Sequence, residues 1–235
     1  MTLTGIDRSE LRRGFAAMLP FWLGVVPFAL AFAILGRSSG LSVVETEALS
    51  VLVFAGSAQL AFVNLARDGA GSAAILLTVL LLNLRHVLYG LSLNVHLPAC
   101  TRPPRPVLAA TMTDESYGLA IRSYRDGRGS DGFFFGASVS LLVSFTTATL
   151  VGAVLGSHLP DPGRLGLEVV FPLSFLALLL PLLRSRIDLT VVAVAGVFAL
   201  VAGEFMSGGG VVLLTTICGA AIGTVLDRRP RPIAV

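Results

Sequence analysis

Between its arginines the chain runs in continuous apolar stretches of about twenty residues, the length of helix that crosses a bilayer core of about 30 Å. Six stand out, at 16–35, 48–66, 133–155, 169–183, 189–202 and 211–226. The runs are continuous and lack the period-2 alternation of barrel strands, so helices are the spanning element. Of the 235 residues 54% are hydrophobic and 13% charged, with a mean hydropathy of +0.85. That leaves no room for a separate soluble domain of ordinary size. The expectation is an all-α, polytopic helical membrane protein, with one transmembrane domain over residues 1–235 and short cytoplasmic ends at 1–14 and 227–235. The first apolar run exceeds the roughly 7–15 residues of a signal-peptide core and is expected to stay in the mature protein.

Two further regions are ambiguous. Residues 72–97 are overlong and carry Asn83, Arg85, His86, Tyr89, Asn94 and His96, while 106–123 holds Asp114 and Glu115 at its centre. All 17 basic residues are Arg, and cytoplasmic loops are enriched in Arg. If 106–123 spans, there are eight helices, with twelve arginines inside against four outside. If it does not, everything after it inverts, and the count becomes five inside against eleven. Eight spans are therefore expected, with both termini cytoplasmic in a plasma (bacterial inner) membrane.

This places Arg85, Asp114 and Glu115 at membrane depth, where an ionisable residue costs about 2.5 to 3.5 kcal/mol and marks a functional site or a compensating pair. On a helix Arg85, Tyr89, Ser92 and His96 share one face, and Asn83, His86, Gly90 and Asn94 the adjoining one. A helix polar over half its circumference belongs inside a bundle or against a wet cavity. Arg85 with Asp114 or Glu115 reads equally well as a structural ion pair or as a substrate contact. His86 is a candidate proton relay, with a hydrogen-bonded structural role as the alternative. His86 and His96 make a poor metal pair, ten residues apart with no carboxylate or thiolate between. The separation of Cys100 and Cys218 offers no CxxC site or disulfide framework.

In the second run Gly56 permits unwinding, and freed backbone groups beside Ser57 and Gln59 suit a polar ligand. Broken helices are thus expected around 56–59 and 83–90. In the first run Pro27 removes a helix hydrogen bond next to Gly24, which predicts a kink. Ser50 reads as packing, as do the small-residue pairs Gly152/Gly156 and Gly219/Gly223. Ala33-Ile-Leu-Gly36 and Ala153-Val-Leu-Gly156 each end a span, the one hint of an internal repeat. The basic residues form no nucleic-acid stripe. A chain without Lys holds no phosphate-binding GxxxxGK[ST] loop. No nucleophile, metal or cofactor motif accompanies the acids, so an enzyme is not expected and no cofactor is implied.

Phe54-Ala-Gly-Ser-Ala-Gln59, Asn83-Leu-Arg-His86 with Tyr89, and Thr113-Asp-Glu-Ser116, in this order and spacing, resemble the AzlC family, also called YgaZ or BrnF. Gly24-Val-Val-Pro27-Phe28, Gly40-Leu41-Ser42, Leu155-Gly156, Asp161-Pro162 and Leu165-Gly166-Leu167 extend the likeness over nearly the whole chain. Ala29 and Ala33 stand where the family often has glycine. The resemblance implies the large subunit of a secondary transporter exporting branched-chain amino acids, with a small four-helix AzlD-type membrane subunit as partner. An amino acid's carboxylate would then meet Arg85 and its ammonium Asp114 or Glu115. The rival expectation is a channel, or an assembly subunit without transport activity of its own.

Overall fold

The computed structural model describes residues 7–98, 103–156, 185–205 and 209–226, with Leu173, Leu176, Leu179, Leu180 and Leu183. Apart from those five leucines the expected span at 169–183 lies outside the described residues, as does the C-terminal end at 227–235. All described elements are helices: α1 (Arg8–Met18), α2 (Trp22–Ser38), α3 (Val43–Leu52), α4 (Gly56–Arg67), α5 (Ser72–Asn83) and α6 (Arg85–Asn94). They continue with α7 (Arg105–Ala110), α8 (Asp114–Arg125), α9 (Asp131–Gly156), α10 (Arg186–Phe205) and α11 (Gly209–Leu226).

Four helical stretches are long and apolar enough to cross a membrane: Arg8–Ser38, Ser72–Asn94, Asp131–Gly156 and Arg186–Phe205. The first joins α1 to α2 through a 3-10 turn at Leu19–Phe21, where Pro20 sits. Pro27 lies inside α2, and the helix continues through it. This irregular turn lies seven residues before Pro27.

The first span runs alongside α9 in the same direction. Trp22 Nε1 donates to Ser140 Oγ at 3.2 Å, the Phe28 and Phe32 rings meet Phe145 at 6.3 and 6.4 Å, and Gly156 lies against Ile34 and Arg37. Residue numbers rise together along both helices. The two similar tetrapeptides, Ala33–Gly36 and Ala153–Gly156, are therefore side by side at one end of the bundle. At the other end α1 crosses α9 with backbone against backbone: a Cβ on Gly14 would run into the Phe133 carbonyl, and one on Gly136 into the Leu11 carbonyl. Only glycines permit this approach, which brings helix axes close enough for extensive dispersion contact.

The regions 48–66 and 106–123 do not cross as expected. Helix α3 descends from the Gly36 end, with Thr46 beside Gly36 and Ser50 Oγ bonded to Thr149 Oγ1 at 2.8 Å. Its path stops at Phe54, whose ring meets Phe145 at 6.0 Å. Phe54 has φ of +40° and Ala55 is extended, so the chain reverses and α4 returns towards the end it came from. A non-glycine residue held at positive φ costs of order 1–3 kcal/mol, sustained only where the surroundings fix it. Here burial fixes it, since Phe54 and Ala55 are each 5% exposed.

Helix α5 then packs against α4 and continues into α6 as one helix. The interruption at 83–90 is Leu84 alone, which keeps helical angles (φ −56°, ψ −25°), so the helix bends there and does not unwind. The α5–α6 span reaches the opposite end of the bundle, and α7 begins there with Arg105 Nη2 bonded to the Pro98 carbonyl at 3.2 Å. Thr111–Thr113 form the turn, and α8 goes back alongside α6. Arg85 pairs with Asp114, Tyr89 stacks on Tyr117 and His96 on Tyr124. The numbers again rise together, so α6 and α8 run parallel and α7–α8 is a second hairpin.

Each leg is 6 to 12 residues, at most about 18 Å at 1.5 Å per residue and short of a bilayer core. The eight-span expectation is corrected accordingly: 48–66 and 106–123 are hairpins that dip in from opposite ends and meet at mid-depth. Irregular backbone at that depth is tolerated only when buried in protein. Met112 and Thr113 at the second turn are 6% and 7% exposed. Two uncrossed regions leave the direction of every span after the second hairpin unchanged, so an arginine count that varied 106–123 alone did not detect them.

Candidate functional site

The two hairpin turns, the bend at Leu84 and the middle of α2 and α9 enclose one cavity. Its volume is about 50 Å³, room for about three to five waters at about 10–15 Å³ each. Its polar wall is Ser57, Arg85, His86, Thr113, Asp114 and Glu115. Its apolar wall is Val25, Phe28, Phe54, Ala55, Leu141 and Phe145. The first span and first hairpin supply most of the apolar side, and the bent span and second hairpin the charged side.

Arg85 is the hub. Its Nη1 lies 2.7 Å from Asp114 Oδ2, and its Nη2 donates to Ser57 Oγ at 2.8 Å, tying both hairpins to the bent span. The pair is largely enclosed, with side-chain exposures of 17% for Arg85 and 37% for Asp114. Capacity is left over: among the described residues Arg85 Nε and Asp114 Oδ1 are buried without a partner. Buried polar atoms are nearly always satisfied, so an open donor and an open acceptor on one ion pair point to a ligand or water.

A third open group is the start of α4. Ala55 provides no side-chain cap, so the N–H groups of the first turn face the cavity with the positive end of the helix dipole. Gly56 makes room there for Phe28, since an added Cβ would lie 2.7 Å from Phe28 Cε1 and the ring would have to shift. Helix α8, by contrast, is closed by a capping box in which Thr113 N donates to Ser116 Oγ at 2.9 Å and Ser116 N to Thr113 Oγ1 at 3.3 Å. Thr113→Val will lower stability by about 1 kcal/mol, the usual worth of such a cap, and Thr113→Ser will not. Thermal unfolding of the purified protein checks this, and equal midpoints would remove the cap from the account.

The sequence candidates divide. Arg85, Asp114, Glu115, His86, Gly56 and Ser57 line the cavity. Tyr89 lies one turn beyond, stacked on Tyr117 at 4.4 Å, and Asn83 accepts His86 Nδ1 at its backbone carbonyl, 3.2 Å away. Gln59 is fully buried, with neither amide atom partnered among the described residues, but it is not in the wall. Gly24 and Pro27 flank Val25, which is. Among the described residues no cluster of three metal-ligating side chains occurs. Thr113 was missed, although Thr followed by Asp-Glu-Ser is a helix-start signature. The aromatic wall carried no comparable signal, because Phe28, Phe54 and Phe145 look like any other lipid-phase phenylalanines.

The AzlC protein family profile matches residues 20–159, which include the whole cavity wall. An uncharacterized membrane protein of Archaeoglobus fulgidus is 31% identical over 177 residues, covering 74% of this chain and 77% of that protein. The inner membrane protein YgaZ of Escherichia coli is 29% identical over 209 residues, 86% and 84% of the two chains. The branched-chain amino acid transport protein AzlC of Bacillus subtilis is 24% identical over 172 residues, 72% and 66%. No solved structure matches.

Proposed function

From the premise that this chain belongs to the AzlC family, we propose that it is a secondary transporter subunit that exports branched-chain amino acids, with the mid-depth cavity as its substrate site. The observation that carries this reading is the division of that cavity into a charged and an apolar wall. A zwitterion with an aliphatic side chain has the same division. Its carboxylate fits Arg85 Nε and the open turn of α4, its ammonium fits Asp114 Oδ1 or Glu115, and its side chain faces Phe28, Phe54 and Phe145. The space suits the charged head; the aliphatic part requires those rings to separate. Each hairpin closes the route from the cavity to one membrane face, and withdrawing them in turn gives alternating access.

Orientation follows the arginines. Among the described residues Arg8, Arg12, Arg13, Arg105, Arg122, Arg125 and Arg128 gather at one end, against Arg37 and Arg67 at the other. That contrast favours cytoplasmic termini in the plasma membrane. Proton coupling through Asp114, Glu115 or His86 is the simplest drive, since all three line the cavity. A small AzlD-like subunit is the proposed partner; α10 has no buried residue and leaves a long face for lipid or another helix.

The test is efflux of labelled leucine and valine from proteoliposomes, with and without the small subunit, challenged by analogues. Saturable efflux is expected, blocked by neither isovalerate, which lacks the ammonium, nor isoamylamine, which lacks the carboxylate. Inhibition by either analogue as strong as by leucine would refute the two-ended head site. Flux that never saturates would identify a channel. Efflux unaffected by collapsing the pH gradient would remove proton coupling.

A further inference from the structure

A second cavity lies at the arginine-rich end, remote from the transport site and independent of it, where α1, the end of α8 and the start of α9 converge. Its volume is about 280 Å³, and Arg13, Arg122, Arg128, Ser123 and Asp126 face into it. Its floor is apolar, made of Ala17, Leu119 and Phe133.

The three guanidinium groups are unequally engaged. Arg13 is held in place: Nη2 contacts Glu10 Oε2 at 2.7 Å and donates to the Arg128 carbonyl, while its Cζ lies 4.9 Å from the centre of the Phe133 ring. Glu10 is shared, accepting also from Ser130 Oγ at 2.6 Å, and Arg13 Nε is buried without a partner. Arg122 meets Asp126 only at 3.9 Å, with both side chains more than half exposed. Arg128 has no ion pair among the described residues. The lining itself carries three cations and one carboxylate, Asp126; with Glu10 neutralising Arg13 from outside the lining, the cavity keeps positive charge to spare.

We infer that this cavity binds the phosphate of an anionic phospholipid headgroup. Guanidinium groups around a concavity suit a phosphate oxygen cluster, and basic pockets between helices at the cytoplasmic surface are where such headgroups dock. The apolar floor selects a lipid over free phosphate, because a lipid carries its glycerol and acyl carbons into the same site while an inorganic ion gains nothing from Phe133 and Leu119. Ser123 and Asp126 can accept a hydroxyl of a polar headgroup. The site also grips α8 at Leu119, Arg122 and Ser123, about 8–14 Å along the helix from Asp114, so a bound headgroup braces one leg of the second hairpin.

The experiment measures lipid retention by native mass spectrometry and thermal protection of the full-length protein in detergent, titrated with phosphatidylglycerol, phosphatidylcholine or inorganic phosphate. Two doubly substituted proteins remove equal charge: Arg122→Gln with Arg128→Gln inside the cavity, and Arg12→Gln with Arg125→Gln outside it. Phosphatidylglycerol is expected to protect and phosphatidylcholine not. Two arginines at a membrane surface are together worth about thirtyfold in affinity; the inner pair should lose at least that, and the outer pair clearly less. Equal loss in both proteins would mean diffuse attraction and overturn the site. Protection by inorganic phosphate matching that of phosphatidylglycerol would overturn the lipid assignment.

Discussion

The Arg85→Gln protein will insert, and will not transport. Arg85 joins Asp114 on the second hairpin to Ser57 on the first, so the substitution removes the cation offered to a carboxylate and leaves Asp114 without its counter-ion. Truncating one member of an enclosed, hydrogen-bonded charge pair costs about 2–5 kcal/mol, or roughly thirtyfold to several thousandfold in affinity. Arg85→Lys will rescue little, because one ammonium cannot reproduce the planar fork that reaches both partners. Adding Asp114→Asn to Arg85→Gln removes the orphaned charge; it should restore thermal stability and leave efflux absent. That split between stability and activity separates a substrate contact from a structural ion pair. Efflux at the wild-type rate from a normally expressed Arg85→Gln protein would end the assignment.

The largest structural effect is expected at the crossing of α1 and α9. Gly14→Val or Gly136→Val places a branched side chain where the Phe133 or Leu11 carbonyl already stands, and a carbonyl cannot swing aside as a flexible side chain can. Overpacking of this kind costs about 1–3 kcal/mol or more, which lowers the unfolding midpoint by about 2–4 °C per kcal/mol in a chain of this size. Gly90→Ala and Gly118→Ala are the controls: nothing lies within 4 Å of a Cβ at either position, so the midpoint should hold or rise slightly. A Gly136→Val protein as stable as the wild type would contradict the close crossing.

The sequence announced the charged half of the site because charges in lipid are costly enough to require a reason. Arg85, Asp114 and Glu115 were legible on that ground alone, and the shared face of Arg85, Tyr89, Ser92 and His96 turns towards α8 as helical spacing predicts. The hairpins were not legible. A run such as 48–66 satisfies the length and hydropathy of a crossing helix whether it continues or turns back, and the local signals were a single Gly56 and a Thr113 in cap position. What reverses the chain at Phe54 is tertiary: a buried pocket of phenylalanines holds a backbone angle that the residue would not choose. The apolar wall stayed hidden for a related reason, since its phenylalanines come from three distant segments and gain meaning only once assembled.

The opposed hairpins also bear on how the protein is made. A leg of 6 to 12 residues cannot hold itself across a bilayer while the chain emerges from the ribosome, and its turn has no lipid-compatible hydrogen bonding until α2 and α9 are present to bury it. The long helices must therefore integrate first, and the hairpins tuck in afterwards, one from each side of the membrane. The cavity is thus completed only when the chain has been synthesised past α9, and a product truncated before that point would be inserted yet carry no site.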